Sequence, residues 1–283
     1  MNTIIQEFTL NNGLSVPKIG FGTYKATAGN DASVISDAIR EGYRLFDSAS
    51  FYDNEQFIGE AVSQSGIPRN QFLLTSKVWK AEMGYANTLK AFVQSQQKMQ
   101  SETIDLYLIH WPRPNLNDAW QPLVQETWKA MEELYDTKKV SAIGVCNFLP
   151  HHLEVLLDKA IIKPAVNQIE FHPGYTQMET VRFSQALGIQ VEAWSPLGRA
   201  KMLEDALLKE IAEKYGKTVA QICIRFAIQL DVLPLVKSSS PDRMRENLDV
   251  FNFTIADEDM EKMLGMPETG WSGEHPDKER VEV

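Results

Sequence analysis

Asp47, Tyr52, Lys77 and His110 are the residues of this chain best suited to chemistry, because most of them sit where the sequence is otherwise apolar. Asp47 closes Leu45-Phe46-Asp47, Lys77 lies in Leu73-Leu74-Thr75-Ser76-Lys77-Val78, and His110 ends Leu106-Tyr107-Leu108-Ile109-His110. Short apolar runs of this kind read as buried strands. A carboxylate, an ammonium and an imidazole at the ends of buried strands are costly unless they meet. Brought together with Tyr52, they form an acid–base group. A tyrosine hydroxyl, with an ordinary pKa of about 10, is a weak acid at neutral pH. An ammonium beside it favours the phenolate and is expected to bring that pKa nearer the working range. Asp47 would keep Lys77 charged and fixed, and His110 would offer a hydrogen bond to an oxygen gaining negative charge. Such a set suits protonation of a carbonyl oxygen as a hydride reaches its carbon. Singly, Asp47 reads as a loop cap, Lys77 as a snorkelling strand-end lysine and His110 as a core imidazole. It is the joint placement that points to chemistry.

Strand-like and helix-like segments alternate along the chain and supply that placement. A first apolar segment, Val16–Thr23, follows a hairpin turn at Asn12-Gly13 and the strand-like Glu7–Leu10. Further strands are expected at 44–48, 72–78, 105–110, 142–147, 165–171, 190–195 and 233–237. Helices are expected between them, with amphipathic stretches at 80–100 and 120–138 and i, i+3, i+4 periodicity from Val219 to Leu230. Eight β–α alternations without a linker predict an α/β chain folded as a single (β/α)8 TIM barrel over 1–283, with an N-terminal β-hairpin and a C-terminal tail over the site. A dinucleotide-binding open sheet would need a G-x-G-x-x-G turn, and Gly20-Phe21-Gly22 supplies only its opening. In a barrel, active-site residues gather at the C-terminal ends of strands, where Asp47, Lys77 and His110 all fall, with Tyr52 in the loop above.

Composition narrows the partners. A formal charge of −10 argues against nucleic acid, and no apolar run approaches a membrane span. The first residues lack the basic region and apolar core of an export signal, so a cytoplasmic location is expected. Cys146 and Cys223 read as buried, reduced thiols. No metal motif is present; adjacent His151 and His152, near a helix start, are expected to point apart. A monomer acting on a small molecule is the expectation.

Several segments, taken in order, resemble the aldo-keto reductase family: Gly20-Phe21-Gly22-Thr23, Leu45-Phe46-Asp47-Ser48-Ala49 with Tyr52, Thr75-Ser76-Lys77, Leu108-Ile109-His110-Trp111-Pro112, Ile143–Phe148, Asn167-Gln168, Ser195-Pro196-Leu197-Gly198 and Lys237-Ser238. The resemblance implies a (β/α)8 barrel and a nicotinamide cofactor, usually NADPH (NADP+), held without a Rossmann motif. It also implies Tyr52 as general acid, Lys77 and Asp47 as its tuning pair, and His110 as orienter of the carbonyl. Gly22 and Thr23 join the cofactor contacts on the same ground, as do Glu246 and Asn247 near the adenine.

The later segments make physical sense as a dinucleotide strip. Asn147 and Gln168 can hydrogen-bond a carboxamide, Trp194 offers a flat stacking face, and the turn Ser195-Pro196-Leu197-Gly198 can bring backbone amides to a pyrophosphate. Ser240 suits an N-cap and Pro241 a first helical position, so a helix N-terminus should lie beside Lys237, Ser238 and Arg243. That arrangement suits a 2′-phosphate and so NADPH over NADH. Three positions depart from the common family pattern: Tyr24 for tryptophan, Cys146 for serine and Trp194 for tyrosine. Tyr24, Trp79, Trp111 and Trp271 are expected to line an apolar substrate pocket, with the glycine-bounded Gly270–His275 as a mobile tail above it. The leading reading is an NADPH-dependent reductase of aldehydes, small ketones or dicarbonyls. A non-catalytic nicotinamide-binding sensor on the same barrel, which would bind cofactor without turnover, and a Schiff-base aldolase using Lys77 are the alternatives.

Overall fold

The computed structural model describes residues 6–27, 31–116 and 119–282. Ten strands are described. β1 (Glu7–Thr9) and β2 (Ser15–Pro17) form an antiparallel hairpin. The others are β3 (Gly20–Gly22), β4 (Leu45–Asp47), β5 (Leu73–Val78), β6 (Ile104–Ile109), β7 (Val140–Cys146), β8 (Val166–Glu170), β9 (Gln190–Trp194) and β10 (Val232–Val236), which close in chain order into an all-parallel barrel. The helices between and after them are α1 (Ser33–Glu41), α2 (Glu55–Gln64), α3 (Tyr85–Lys98), α4 (Trp120–Asp136), α5 (Pro150–Leu157), α6 (Met178–Ala186), α7 (Ala206–Tyr215), α8 (Val219–Gln229), α9 (Pro241–Leu248) and α10 (Asp257–Leu264). Among the described residues no helix is long and apolar enough to cross a membrane.

Two expected elements are divided. The segment expected as one strand over Val16–Thr23 is split: its start pairs with β1, and only Gly20–Gly22 enters the barrel. Pro17 can donate no ladder hydrogen bond, which suits an edge strand and a break. The helix expected over 80–100 is a 3-10 turn, Lys80–Glu82, followed by α3; Gly84, at φ 99°, takes the positive-φ backbone that separates them and that glycine tolerates.

Strand alternation divides the barrel interior by polarity. Leu45, Leu106, Leu108, Ala142, Val166, Leu233 and Leu235 pack together in the lower half, and Phe8, Leu10 and Val16 of the hairpin seal the bottom. Asn11 and Asn12 fasten the hairpin by donating to the Pro164 and Ser141 carbonyls at 2.8 and 2.9 Å. Two residues above each of several apolar positions, the same face carries a buried polar group: Asp47 over Leu45, His110 over Leu108 and Gln168 over Val166. The leucines fit because glycines make room. A Cβ on Gly20 would stand 2.4 Å from Leu45 Cδ2, and one on Gly144 would stand 2.8 Å from Leu108 Cδ2. Outside the strands, the helix residues Phe92 and Trp128 pack in one cluster with the strand residues Phe21, Phe46 and Tyr107, and the helix residues Ile222 and Phe226 in another with Phe171.

Leu108 is fully buried at the boundary between the two halves. Leu108→Ala is expected to lower unfolding free energy by about 2–5 kcal/mol, read as a lower urea midpoint with an unchanged m-value.

Candidate active site

The strands deliver Asp47, Lys77 and His110 to one end of the barrel, and the 3-10 turn Ser50–Tyr52 folds Tyr52 over them. Register sets Asp47 opposite Thr75, so Lys77 stands two residues further along its own strand and reaches back. Its ammonium donates to both oxygens of Asp47 at 2.7 Å and to the Ser48 carbonyl at 2.9 Å, which occupies all three N–H donors. Burial alone would lower the Lys77 pKa, but the charge of Asp47, with Tyr52, outweighs it and holds the ammonium above its ordinary value. Thr23 fixes the other partner: its backbone N–H and hydroxyl both donate to the Asp47 carbonyl, at 3.1 and 2.7 Å. The Asn54 side chain donates to Thr23 O at 2.9 Å and accepts from the Ser48 hydroxyl at 2.6 Å, binding the loop back to β3.

Tyr52 rests 4.9 Å from the Tyr24 ring and 5.5 Å from the His110 ring, with Lys77 Nζ 5.0 Å from its ring centre. The expected fall in its pKa is not what this geometry gives. Loss of hydration pushes the phenol above its ordinary value, and the pull of Lys77 only partly offsets that, with Asp47 working against it. His110 is held well below its ordinary range by burial and by the charges of Lys77 and Lys80, so it is a neutral imidazole, and its Nδ1 is buried without a hydrogen-bond partner. Trp79 meets His110 edge-on at 5.0 Å and stacks on Phe51 at 3.9 Å, so Tyr24 and Trp79 gather at one mouth with Trp111 beside the intervening Lys80. Trp271 instead stacks on Tyr175 at 6.2 Å.

Beside the tetrad, Asn147 is tied at both ends of its amide. It donates to the His110 carbonyl at 3.0 Å and accepts from the Trp194 indole at 2.8 Å, in a left-handed backbone with φ 64°. Gln168 spends both N–H donors inward, on Asp47 Oδ1 at 2.9 Å and on Glu192 Oε2 at 2.8 Å. Its oxygen keeps only a 3.7 Å contact with the Cys146 thiol. Both cysteines are buried and free, as expected, and burial pushes both thiols up. The turn after β9 forms, closed by Gly198 N–H donating to Ser195 O at 2.8 Å. Arg199 leads from it across the Trp194 ring, 6.0 Å from its centre, to pair with Glu274 at 2.8 Å. At α9, Ser240 and Pro241 take the expected N-cap and N1 positions, but the Ser240 hydroxyl makes no cap bond; Ser238 Oγ accepts the Ser240 N–H at 3.1 Å instead. Lys237 and Arg243 are exposed beside that helix end, Glu246 accepts from Thr218, and Asn247 is buried.

The tail is pinned where mobility was expected. Ser272 donates its N–H and hydroxyl to Glu170 at 2.9 and 2.7 Å. Asp277 takes Arg113, His151 and His152, each at 3.0 Å. The two histidines therefore converge, with ring centres 3.9 Å apart, rather than pointing apart. His152 Nδ1 accepts the Leu149 N–H at 3.1 Å, which leaves the proton of the neutral ring on Nε2, facing Asp277. Burial, only partly opposed by Asp277, draws its pKa down to about 4. A protonated Nε2 and the Arg113 cation make this cluster an anchor for a carboxylate rather than a cation site.

A match to the family model "Aldo/keto reductase family" covers residues 18–266, a span that holds every strand of the barrel. The chain belongs to the aldo/keto reductase family. It is an oxidoreductase acting on carbonyl compounds. Among characterised members it is similar to the glyoxal reductase of Bacillus subtilis (strain 168), 43% identical over 270 residues and 95% of each chain. It is also similar to the 9,11-endoperoxide prostaglandin H2 reductase of Trypanosoma cruzi (strain CL Brener), 40% identical over 281 residues, 98% of this chain and 97% of that one. A crystal structure of an aldo-keto reductase complexed with NADPH superposes with TM-score 0.86 at 29% identity, covering 94% of this chain and 89% of the other. Relatives named for such different substrates at nearly equal identity make the residues around the mouth, not membership, the place to read specificity.

Glu192 is a buried group of the upper interior that sequence reading missed. Strand parity could have found it, since Glu192 and Trp194 share a face. Burial, then the charge of Asp47, push its carboxyl up to about 7. A carboxyl raised in the folded state costs stability as pH climbs from its ordinary value of 4.5 through about 7. Glu192→Gln removes that cost. Its stabilising effect is expected to be small at pH 4.5 and to grow towards pH 8, on the order of 3 kcal/mol at most, measured by urea unfolding across that range.

Proposed function

We propose that this chain is an NADPH-dependent reductase of aldehydes and small ketones or dicarbonyls, with Tyr52 as the proton donor. The observation that carries the reading is the Lys77–Asp47 pair, buried and fully hydrogen-bonded beneath Tyr52, with a neutral His110 at its side. The cofactor fits the residues present. The Gln168 oxygen, its amide hydrogens spent inward, is an acceptor for a carboxamide N–H. Trp194 supplies a stacking face, and the uncapped start of α9 with Lys237 and Arg243 supplies donors and positive charge for a phosphate. Gly22, Thr23, Ser195–Gly198, Ser238, Glu246 and Asn247 complete the strip. When bound, NADPH supplies the hydride. Superposition on a relative complexed with NADPH supports that assignment.

The chain's own residues then handle the oxygen. Neutral His110 donates a hydrogen bond to the substrate carbonyl and sets its direction towards Tyr52. Tyr52 gives its hydroxyl proton to that oxygen as negative charge develops there. The phenolate left behind is stabilised by Lys77, whose charge is fixed by Asp47 rather than mobile. Burial that raises the resting phenol keeps it protonated until the oxygen is ready to take the proton. The same pair argues against an imine-forming lysine, because a lysine with every N–H engaged and its pKa raised has no free lone pair.

Tyr52→Phe is expected to lower kcat for NADPH-dependent aldehyde reduction by about 10²–10⁴-fold, while the NADPH dissociation constant, followed by fluorescence, stays within twofold of the parent, about the experimental error. Undiminished turnover would remove Tyr52 from the mechanism, and unchanged binding without turnover in the parent would favour the sensor reading. Replacing Lys237 and Arg243 by Met and Ala is expected to weaken NADPH binding about tenfold or more while leaving NADH binding nearly unchanged. Equal loss for both cofactors would show that these cations do not read the 2′-phosphate.

A further inference from the structure

Lys80 begins the 3-10 turn Lys80–Glu82, directly after Trp79. Its ammonium lies 4.9 Å from the centre of the Trp111 ring and 5.7 Å from that of Trp79, and Trp79 is the ring that meets His110. The position is built rather than incidental. Glu82 Oε2 accepts the Trp79 N–H at 2.8 Å and the Ser50 hydroxyl at 2.6 Å, and Ser50 opens the turn that carries Tyr52. One carboxylate thus fixes the segments bearing Lys80 and the proposed proton donor in a common frame. The charge of Lys80 reaches His110, whose pKa it helps to depress.

The ammonium is half-buried, and burial draws its own pKa below the ordinary value. Two tail carboxylates act on it from a distance. Glu274 is already paired with Arg199 at 2.8 Å, Glu279 is exposed, and neither forms an ion pair with Lys80 among the described residues. A cation lying on two indole faces is attracted by the rings but keeps N–H donors that the rings cannot satisfy as a carboxylate does. Partial desolvation makes a further anion more strongly felt there than on open surface. On a chain of net charge −10, a cation at the mouth also discriminates, since the general field repels anions.

We propose that Lys80 is an anion-recognition residue of the substrate pocket, and that the carbonyl compounds this chain favours carry a carboxylate or similar negative group a few bonds from the carbonyl. The proposal rests on the carbonyl-reduction reading above. It deepens that reading to a substrate class: aldehydic and keto acids over their uncharged counterparts. His110 and Tyr52 engage the carbonyl oxygen, and Lys80, across Trp79, engages the far end. Two-point attachment of this kind orients a small, flexible substrate that the apolar rings alone would leave free to turn.

The test compares 4-oxobutanoate with 4-methylpentanal, an uncharged aldehyde of similar shape, in the parent, Lys80→Met and Lys80→Glu chains. The parent is expected to show kcat/KM about tenfold higher for the acid, carried mainly by KM and reduced by added salt. Lys80→Met should erase the preference with 4-methylpentanal turnover retained, and Lys80→Glu should invert it. Loss of both substrates in parallel, or an acid preference that survives Lys80→Met, overturns the proposal. Calorimetric titration of the NADPH-loaded protein with succinate, which cannot be reduced under these conditions, reads Lys80 without turnover. About tenfold weaker binding in Lys80→Met supports the role even if neither aldehyde is reduced, in which case it is the carbonyl-reduction reading that fails. Equal succinate binding in parent and variant overturns the role of Lys80.

Discussion

A lysine with no exposed surface, bonded to both oxygens of one aspartate, is the constraint around which this barrel is arranged. Taking two charges out of water is expensive, and removing either partner would leave the other buried and unpaired. Every neighbouring element helps to keep the pair exact in position. Thr23 holds the Asp47 backbone, Ser48 takes the third N–H of Lys77, and Gln168 approaches Asp47 from across the barrel. That last contact extends the polar network to Glu192, so the upper half of the interior is a connected set of hydrogen bonds rather than separate pairs.

The division of the interior into an apolar lower half and a polar upper half follows from strand parity together with sequence. Leu45 and Asp47, Leu108 and His110, or Val166 and Gln168 are two residues apart and therefore share a face. Packed leucines beneath, fitted against Gly20 and Gly144, give the polar residues a rigid floor. Close packing of this kind transmits position: a side chain standing on it has few alternative rotamers, which is the preorganisation that acid–base chemistry needs.

The barrel and the meeting of Asp47, Lys77 and His110 were legible in the sequence because period-2 apolar runs mark strands and parity marks faces. What was not legible depended on contacts between distant segments. Nothing local says that His151 and His152 will converge on Asp277, more than a hundred residues away, or that Ser272 will fasten the tail to Glu170. Glu192 is less legible because a lone glutamate in Gln190–Trp194 looks like a solvent-facing strand residue, and only its parity with Trp194 marks it as inward. The direction of the Tyr52 pKa was misjudged for a related reason. Charge neighbours can be listed from a motif, whereas loss of hydration depends on the packing of Tyr24 and His110 around the ring. Lys80 is the sharpest case. A lysine after a tryptophan reads as surface, and only the fold of the Lys80–Glu82 turn lays it across Trp111.

The hairpin that seals the barrel floor has a consequence for how protons travel. With Phe8, Leu10 and Val16 beneath a layer of leucines, the interior is a well and not a pipe. Glu192 sits inside it, so any proton it exchanges with solvent passes the rim where Tyr52 and His110 stand. A molecule resting on that rim stoppers the well.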